Sequence, residues 1–412
     1  MKVFHTSDWH LGRTLYGKKR YAEFEAFLNW LIDQVQLKSP DILIVAGDIF
    51  DTTTPSNKAQ ELYYQFLCKV AANTACQHIV VIGGNHDSPT LLNAPKELLK
   101  QLKIYVIGNI SDNLHDEVLE LRDTNDHPIA IVCAIPYLRD KELRYLAENE
   151  SAADKDIKLM QSIKQHYAEV CQLAYFRRNE LGVDIPIIAT GHLFVTGGKT
   201  LKDDGVRELY VGSLAQFGSN DFPAEIDYLA LGHLHIAQSI ANKPHFRYCG
   251  SPIAMGFGEA KQSKVILEVD FVDRSPQIQE IAVPVFQRLE RVAGNMDEII
   301  SQLNDLINMQ QSFWVEIDYT GLDIVSNLQS ELQNIVLNSQ IELRKVHNSQ
   351  LLAQVLSSAE YEAGVELGDL NPEQVFTKCL ILNAIPEEQQ KELLESFCEV
   401  LATLENNDVR AE

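Results

Sequence analysis

Positive charge is scarce in this chain: 35 Lys and Arg stand against 58 Asp and Glu, a formal net charge of −23. That balance argues against a protein that holds nucleic acid by bulk electrostatics. The acidity is uneven, however. Residues 281–412 hold 7 basic and 22 acidic side chains, a balance of −15, against 28 and 36, or −8, in residues 1–280. Paired cysteines are also missing. The seven cysteines are an odd set without any Cys-x-x-Cys, which argues for free buried thiols in a reducing compartment rather than a zinc ribbon or disulfide framework. No uninterrupted apolar run approaches the roughly 18 residues of a membrane span. Polar residues follow Val3-Phe4 at once, so no signal peptide is expected and the expected compartment is the cytoplasm. Internal repeats and low-complexity tracts are absent too. What remains is 412 residues, 45% hydrophobic and 23% charged, the composition of a globular protein with two or three domains.

The first 280 residues alternate short β-rich runs with longer helical stretches. Strands are expected at Val3-Phe4, Ile42 to Ala46, Ile79 to Ile82, Ile104 to Ile107, Ile129 to Ile135, Ile185 to Ala189, Tyr228 to Leu231 and Val265 to Phe271. Tyr21 to Gln36 carries Phe24, Phe27, Leu28, Leu31 and Val35 at helical spacing. The pattern predicts an α/β fold with helices covering a sheet, and the closer spacing of the later strands suggests a second, partly antiparallel sheet. Past Val283-Pro284 the texture changes to helix (Met296 to Ile307), strand (Phe313 to Tyr319), helix (Val325 to Val336) and strand (Ile341 to Val346), a small β/α unit. Asn371-Pro372 and Pro386 open two further expected helices, the second with an apolar stripe from Leu393 to Leu404. The expected layout is therefore residues 1–280, a small capping domain 281–348, a linker 349–370 and a helical pair 371–406.

Five polar motifs fall where predicted strands end: Asp8-Trp9-His10, Gly47-Asp48-Ile49-Phe50-Asp51, Gly83-Gly84-Asn85-His86-Asp87, Gly191-His192 and Gly232-His233-Leu234-His235. In open α/β sheets the functional crevice lies beyond the carboxyl ends of the strands, so the five converge on one place. Asp carboxylates, an Asn carbonyl and imidazoles together suit Mn²⁺, Fe²⁺ or Zn²⁺, whereas an all-oxygen set would suit Mg²⁺ or Ca²⁺. The Asp8-x-His10 and His233-x-His235 spacings put both members of each pair on one side of an extended segment. The remaining histidines, at 5, 78, 115, 127, 166, 245 and 347, are read as structural or surface groups. Lys199 in VTGGKT imitates the end of a phosphate-binding loop, but Leu193 stands where its first glycine belongs.

In this order the five motifs resemble those of the calcineurin-like metallophosphoesterases. The fuller wording His5 to Gly12, GDIFDTTTPS, GGNHDSP, and LGHLH followed by YCGSP is similar to the SbcD-type DNA nuclease subunits within that superfamily. The resemblance implies a four-layer α/β/β/α sandwich and two metal ions, with Mn²⁺ preferred and Mg²⁺, Fe²⁺ or Zn²⁺ as other candidates. Asp8, His10 and His235 would hold one ion, Asn85, His192 and His233 the other, and Asp48 would bridge them. His86 would be the unligated catalytic imidazole, oriented by Asp87, with Asp51 in an outer shell. The archaeal and eukaryotic relatives carry histidine at the position of Asp51. The resemblance also implies an ATP-stimulated 3′→5′ exonuclease and hairpin endonuclease serving DNA repair, recombination and replication. Its implied partners are DNA, a second copy of the chain, and SbcC, an SMC-like ABC ATPase that would dock on the C-terminal helices.

Beside the first motif, Arg13, Tyr16, Lys18, Lys19 and Arg20 offer cations and an aromatic ring for phosphates and a base; the alternative is a solvated helix start. A phosphatase acting on phosphoproteins is the second reading, weakened because Thr52 stands where such enzymes usually carry arginine. An inactive scaffold is the third, and no ligand is missing to mark it.

Overall fold

The computed structural model describes residues 1–143, 152–199, 217–240, 243–321, 325, 327–348 and single positions between 373 and 398. It divides into two compact units, Met1–Arg288 and Leu289–Glu412. The expected linker and most of the expected C-terminal helical pair lie outside the described residues.

In the first unit, strands that are apolar along their whole length become buried on both faces. Along Ile42–Ala46, Ile42, Ile44 and Ala46 face a second sheet while Leu43 and Val45 face helices. Along His78–Ile82, Val80 and Ile82 turn inward, and Ile79 and Val81 outward. One sheet runs in the order Ser275–Ala282, Val265–Val272, Lys2–Thr6, Ile42–Ala46, His78–Ile82, Ile104–Ile107, its last four strands parallel. The second runs Gln238–Ile240, Lys243–Tyr248, Tyr228–Gly232, Ile187–His192, Pro128–Cys133, Val118–Arg122, parallel through its middle and antiparallel at both edges. Val3, Ile44 and Val80 of the first sheet meet Val132, Ile188 and Ala230 of the second in a shared core. Helices Tyr21–Lys38 and Asn57–Asn73 cover the outer face of the first sheet through Phe24, Phe27, Leu31, Phe66 and Val70. Helix Ala152–Leu181 covers the second through Ile163, Tyr167, Val170 and Ala174. The result is a helix–sheet–sheet–helix sandwich, in which each fully buried Phe, Leu, Ile or Val contributes about 1.5–3 kcal/mol.

One strand lies elsewhere than its neighbours in sequence suggest. Val265–Val272 leaves the second sheet and pairs antiparallel with Lys2–Thr6, and Ser275–Ala282 extends it as a hairpin. Lys2–Thr6 would otherwise be an edge, with unpaired amides and carbonyls. The first unit also runs past residue 280, because Val283 and Phe286 pack on its core.

In the second unit the strands Arg288–Gly294, Phe313–Tyr319 and Ile341–Asn348 form a sheet, the last two parallel. Helix Met296–Asn308 starts with Asn295 and Glu298 capping each other's backbone amides. With Leu328–Val336 it buries Ile299, Leu303, Leu332 and Val336 against Val315 and Ile317. Among the described residues, no helix is long and apolar enough to cross a membrane.

Candidate metal centre

The carboxyl ends of five strands meet at the seam between the two sheets. Lys2–Thr6, Ile42–Ala46 and His78–Ile82 of the first sheet lead into the motifs of Asp8, Asp48 and Asn85. Ile187–His192 and Tyr228–Gly232 of the second deliver His192, His233 and His235. The seam is stitched by the backbone amide of His233 donating to Asp8 Oδ1 at 2.9 Å and by His192 Nδ1 donating to the Ala46 carbonyl at 2.9 Å. Two glycines make the approach possible. A Cβ on Gly84 would sit 2.2 Å from Asp48 Oδ1, and one on Gly232 would sit 2.0 Å from the Ala46 carbonyl oxygen.

The side chains converge differently from the way an extended segment would bring them. Asp8, His10, Asp48 and His233 all have positive φ, at 53°, 47°, 50° and 101°. Non-glycine residues avoid this region, at a cost of order 1–3 kcal/mol each, and occupy it where surrounding structure enforces it, commonly at functional sites. Here the enforcement is visible. Asp8 and His10 donate their amides to the carbonyls of Gly47 and Asp48, each at 3.0 Å, while Trp9 between them is buried against Phe27 and Phe66.

All seven expected ligands come together. His10 Nε2 and His235 Nε2 face each other at 3.2 Å. Asp48 Oδ2 lies 3.2 Å from His192 Nε2 and 3.6 Å from His10 Nε2. Asn85 Oδ1 lies 3.0 Å from His192 Nε2 and 3.1 Å from His233 Nδ1. Asp8, His10 and His235 have donor atoms within 4.8 Å of one another, as do Asp8, Asp48 and His192, and His10, Asp48 and His86. Two imidazole nitrogens pointing at each other beside buried carboxylates is an arrangement that a cation between them satisfies, and the mixed oxygen and nitrogen donors suit a borderline divalent ion.

The charges in the centre are strongly coupled. Burial would raise Asp48, but the charges of His192, His10 and His86 hold its carboxyl well below the usual range. Burial lowers His192, yet Asp48 more than offsets it and carries the ring to about 9. Burial and the charge of His192 push His233 down to about 3. Burial likewise dominates at His10, which falls below its ordinary value despite Asp51 and Asp48.

His86 is present but held differently from expectation. Its Nδ1 donates to the backbone carbonyl of Asp51 at 2.7 Å, which fixes the tautomer, and its ring meets His10 edge-on with centroids 4.8 Å apart. Asp87 does not orient it. The buried Asp87 carboxylate accepts the amides of Ile49, Phe50 and Gly84 at 3.1, 2.9 and 2.8 Å, tying the Asp48 loop to the Asn85 loop. Burial and the charge of Asp48 push it up to about 6. The Asp51 side chain lies 3.3 Å from His10 Nδ1 and 3.1 Å from Arg13. Burial would raise it, but contact with His10 lowers it below its ordinary value.

Sequence reasoning passed over two supporting residues. Arg139 donates to the carbonyls of Gly84 at 3.0 Å and Asp87 at 2.8 Å, clamping the Asn85 loop from behind. Buried Glu259 accepts His235 Nδ1 at 3.1 Å and is ion-paired to Lys264. Neither sits in a motif, and a single Glu or Arg in a loop gives no signal at letter level.

The basic stretch beside the first motif splits. Thr14–Leu15 and Lys18–Lys19 pair as a small hairpin with Tyr16 and Gly17 at positive φ in its turn. Tyr16 is 47% exposed and stacks on Phe257, and Lys19 is exposed. Arg20 does not belong with them. It is 2% exposed, donates to Glu23 at 2.8 Å and lies over the Phe24 ring. Glu23 three residues on, at the start of the helix, draws the guanidinium into the core instead of leaving it in solvent.

Comparison with known proteins agrees with this geometry. The family description "Calcineurin-like phosphoesterase" matches residues 1–237, and "Type 5 capsule protein repressor C-terminal domain" matches residues 285–383. The chain is 36% identical to the SbcD subunit of nuclease SbcCD from Escherichia coli K12, over 98% of each chain. The chain belongs to the SbcD family of calcineurin-like phosphoesterases. SbcD relatives in Bacillus subtilis, 29% identical over the full length of both chains, and in Rhodobacter capsulatus, 35% identical over 63% of this chain and 64% of that one, carry the same name. As an SbcD-type phosphoesterase the chain is a hydrolase of phosphate esters with a divalent-metal centre, and Asp8, His10, Asp48, His192 and His235 supply donor groups placed for such a centre.

Proposed function

We propose that this protein is the nuclease subunit of an SbcCD-type complex and hydrolyses DNA phosphodiesters with two divalent ions, manganese preferred. The observation that carries the reading is the convergence of Asp8, His10, Asp48, Asn85, His192, His233 and His235 from five strand ends. Asp8, His10 and His235 would hold one ion, Asn85, His192 and His233 the other, with Asp48 shared between them. When bound, such a pair supplies Lewis-acid stabilisation to in-line displacement at phosphorus. The chain's own groups do the rest. The Asp51 carbonyl holds the Nδ1 proton of His86, which leaves Nε2 to exchange a proton with the departing sugar oxygen. The Thr14–Lys19 hairpin beside the first motif, with Arg13, Tyr16, Lys18 and Lys19, would contact phosphates and a base of the DNA.

Action on duplex ends and hairpins, stimulation by ATP and pairing with a second copy are what the resemblance to SbcD-type nuclease subunits implies, and they form part of this proposal. An SbcC-type ATPase is the proposed partner; the acidic balance and apolar stripe of segment 371–406 suit docking to a protein better than to DNA. The test is Mn²⁺-dependent cleavage of an end-labelled DNA hairpin by wild type and His86→Gln. The variant should bind metal normally and cut about 10²–10⁴ times more slowly. Cutting at the wild-type rate by His86→Gln, or no Mn²⁺-dependent cutting by the wild type, overturns the proposal.

A further inference from the structure

The two halves of the centre are backed by different chemistry. Behind the half built from Asp8, His10 and His235 lie more carboxylates. His10 Nδ1 is 3.3 Å from the Asp51 carboxylate, and His235 Nδ1 is 3.1 Å from Glu259 Oε1. The half built from Asn85, His192 and His233 has one uncharged ligand and, behind His192, a neutral carbonyl. Asn85 carries no charge, and the nitrogen of His192 that faces away from Asp48 meets the Ala46 carbonyl, at 2.9 Å. His233 Nδ1 faces Asn85 Oδ1 within that same half, at 3.1 Å.

Glu259 is itself held firmly. It is fully buried, and its Oε2 accepts the amide of Met255 at 3.0 Å and the hydroxyl of Ser251 at 3.2 Å, besides the ammonium of Lys264. Lys264, also buried, donates to the His235 backbone carbonyl at 3.1 Å and to Ser251 at 2.9 Å. Both the ring and the backbone of His235 are thus fixed by one small polar cluster behind it. A carboxylate behind a ligating histidine sets its tautomer and strengthens it as a donor, and losing such a partner typically costs 10–100-fold in metal affinity.

We propose that Glu259, fixed by Lys264 and Ser251, is a positioning residue that orients His235 and makes the Asp8–His10–His235 half the tighter of two unequal divalent-metal sites. The inference rests on the two-ion reading above. The experiment is a Mn²⁺ titration of the full-length, metal-stripped protein, following free Mn²⁺ by electron paramagnetic resonance. Wild type should bind in two resolved steps. Glu259→Gln should weaken the tighter step by about 10–100-fold and leave the weaker one in place, and Ser251→Ala, a milder change, should shift the same step in the same direction by less. Asn85→Ala should remove the weaker step alone. Titrations of Glu259→Gln and Ser251→Ala that superimpose on wild type, or that lose both steps equally, overturn the inference. A wild type that takes up fewer than two ions instead overturns the two-ion reading itself.

Discussion

Asp87 gives the sharpest test of how the site is built, because its expected role and its position in the structure differ. Its fully buried carboxylate satisfies three amides: Oδ2 takes Ile49 and Gly84, and Oδ1 takes Phe50. Asp87→Ala leaves all three unpaired, and at about 1–3 kcal/mol for each buried donor the loss is about 3–9 kcal/mol. A typical domain has only ~5–15 kcal/mol in total, so this one change should remove much of the stability of the first unit. Asp87→Asn can keep one oxygen on the two-amide side and turn its NH₂ toward Phe50, losing a single bond, so about 1–3 kcal/mol. Urea unfolding of the metal-free protein, followed by tryptophan fluorescence, should rank wild type above Asn and Asn above Ala. Mn²⁺ uptake should fall in that order too, because the amides concerned flank Asp48 and Asn85. If Asp87→Ala unfolds within about 0.5 kcal/mol of wild type, the range of an ordinary surface substitution, and loses only its cleavage rate, then Asp87 serves the reaction rather than the loops.

The basic hairpin makes a paired prediction. Lys18→Ala with Lys19→Ala should weaken DNA binding and flatten its dependence on log salt by about 0.9 for each phosphate no longer neutralised, whereas Arg20→Ala should lower the melting temperature and leave the salt slope alone; the reverse pattern in a filter-binding titration would refute the division. His5, buried between the sheets against Tyr228, is pushed down to about 3 by burial and by the charge of Arg247. Its folded value lies below the ordinary 6.5, so the unfolded chain takes up a proton that the native protein refuses, and stability drops as pH falls from 6.5 toward 3. The contribution is about 1.4 kcal/mol per pH unit in that window. His5→Gln, which does not titrate, should show a shallower decline in urea midpoints between pH 6 and 4, and an unchanged slope would remove His5 as a cause.

The five motifs were legible because their residues are chemically unusual where they stand. Aspartates, asparagine and histidines directly follow runs such as ILIVA, and only a shared polar crevice makes sense of that. The strand and helix periods made an α/β fold with two sheets legible, while the four-layer sandwich was an expectation from the family resemblance. The membership of Val265–Val272 in the first sheet was not, since pairing with Lys2–Thr6 spans most of the unit and leaves no local trace. Arg20 misled because Lys18-Lys19-Arg20 reads as one exposed cationic stretch, while one glutamate a turn later decides otherwise. Left-handed backbone at Asp8, His10, Asp48 and His233 was hidden for another reason. Such a conformation is advertised by glycine, and here residues that dislike it adopt it under pressure from paired loops.

The pairing of Lys2–Thr6 with Val265–Val272 has a consequence for synthesis. A chain still leaving the ribosome carries Asp8 and His10 almost from the start, yet His233, His235, Glu259 and the strand that closes the first sheet emerge only over the stretch that ends at Val272. Domains complete themselves only when their last element has been made. A nascent or broken-off fragment that stops before residue 233 therefore leaves each half of the centre short of a histidine, and hydrolytic power arises only in a polypeptide whose first unit is nearly finished.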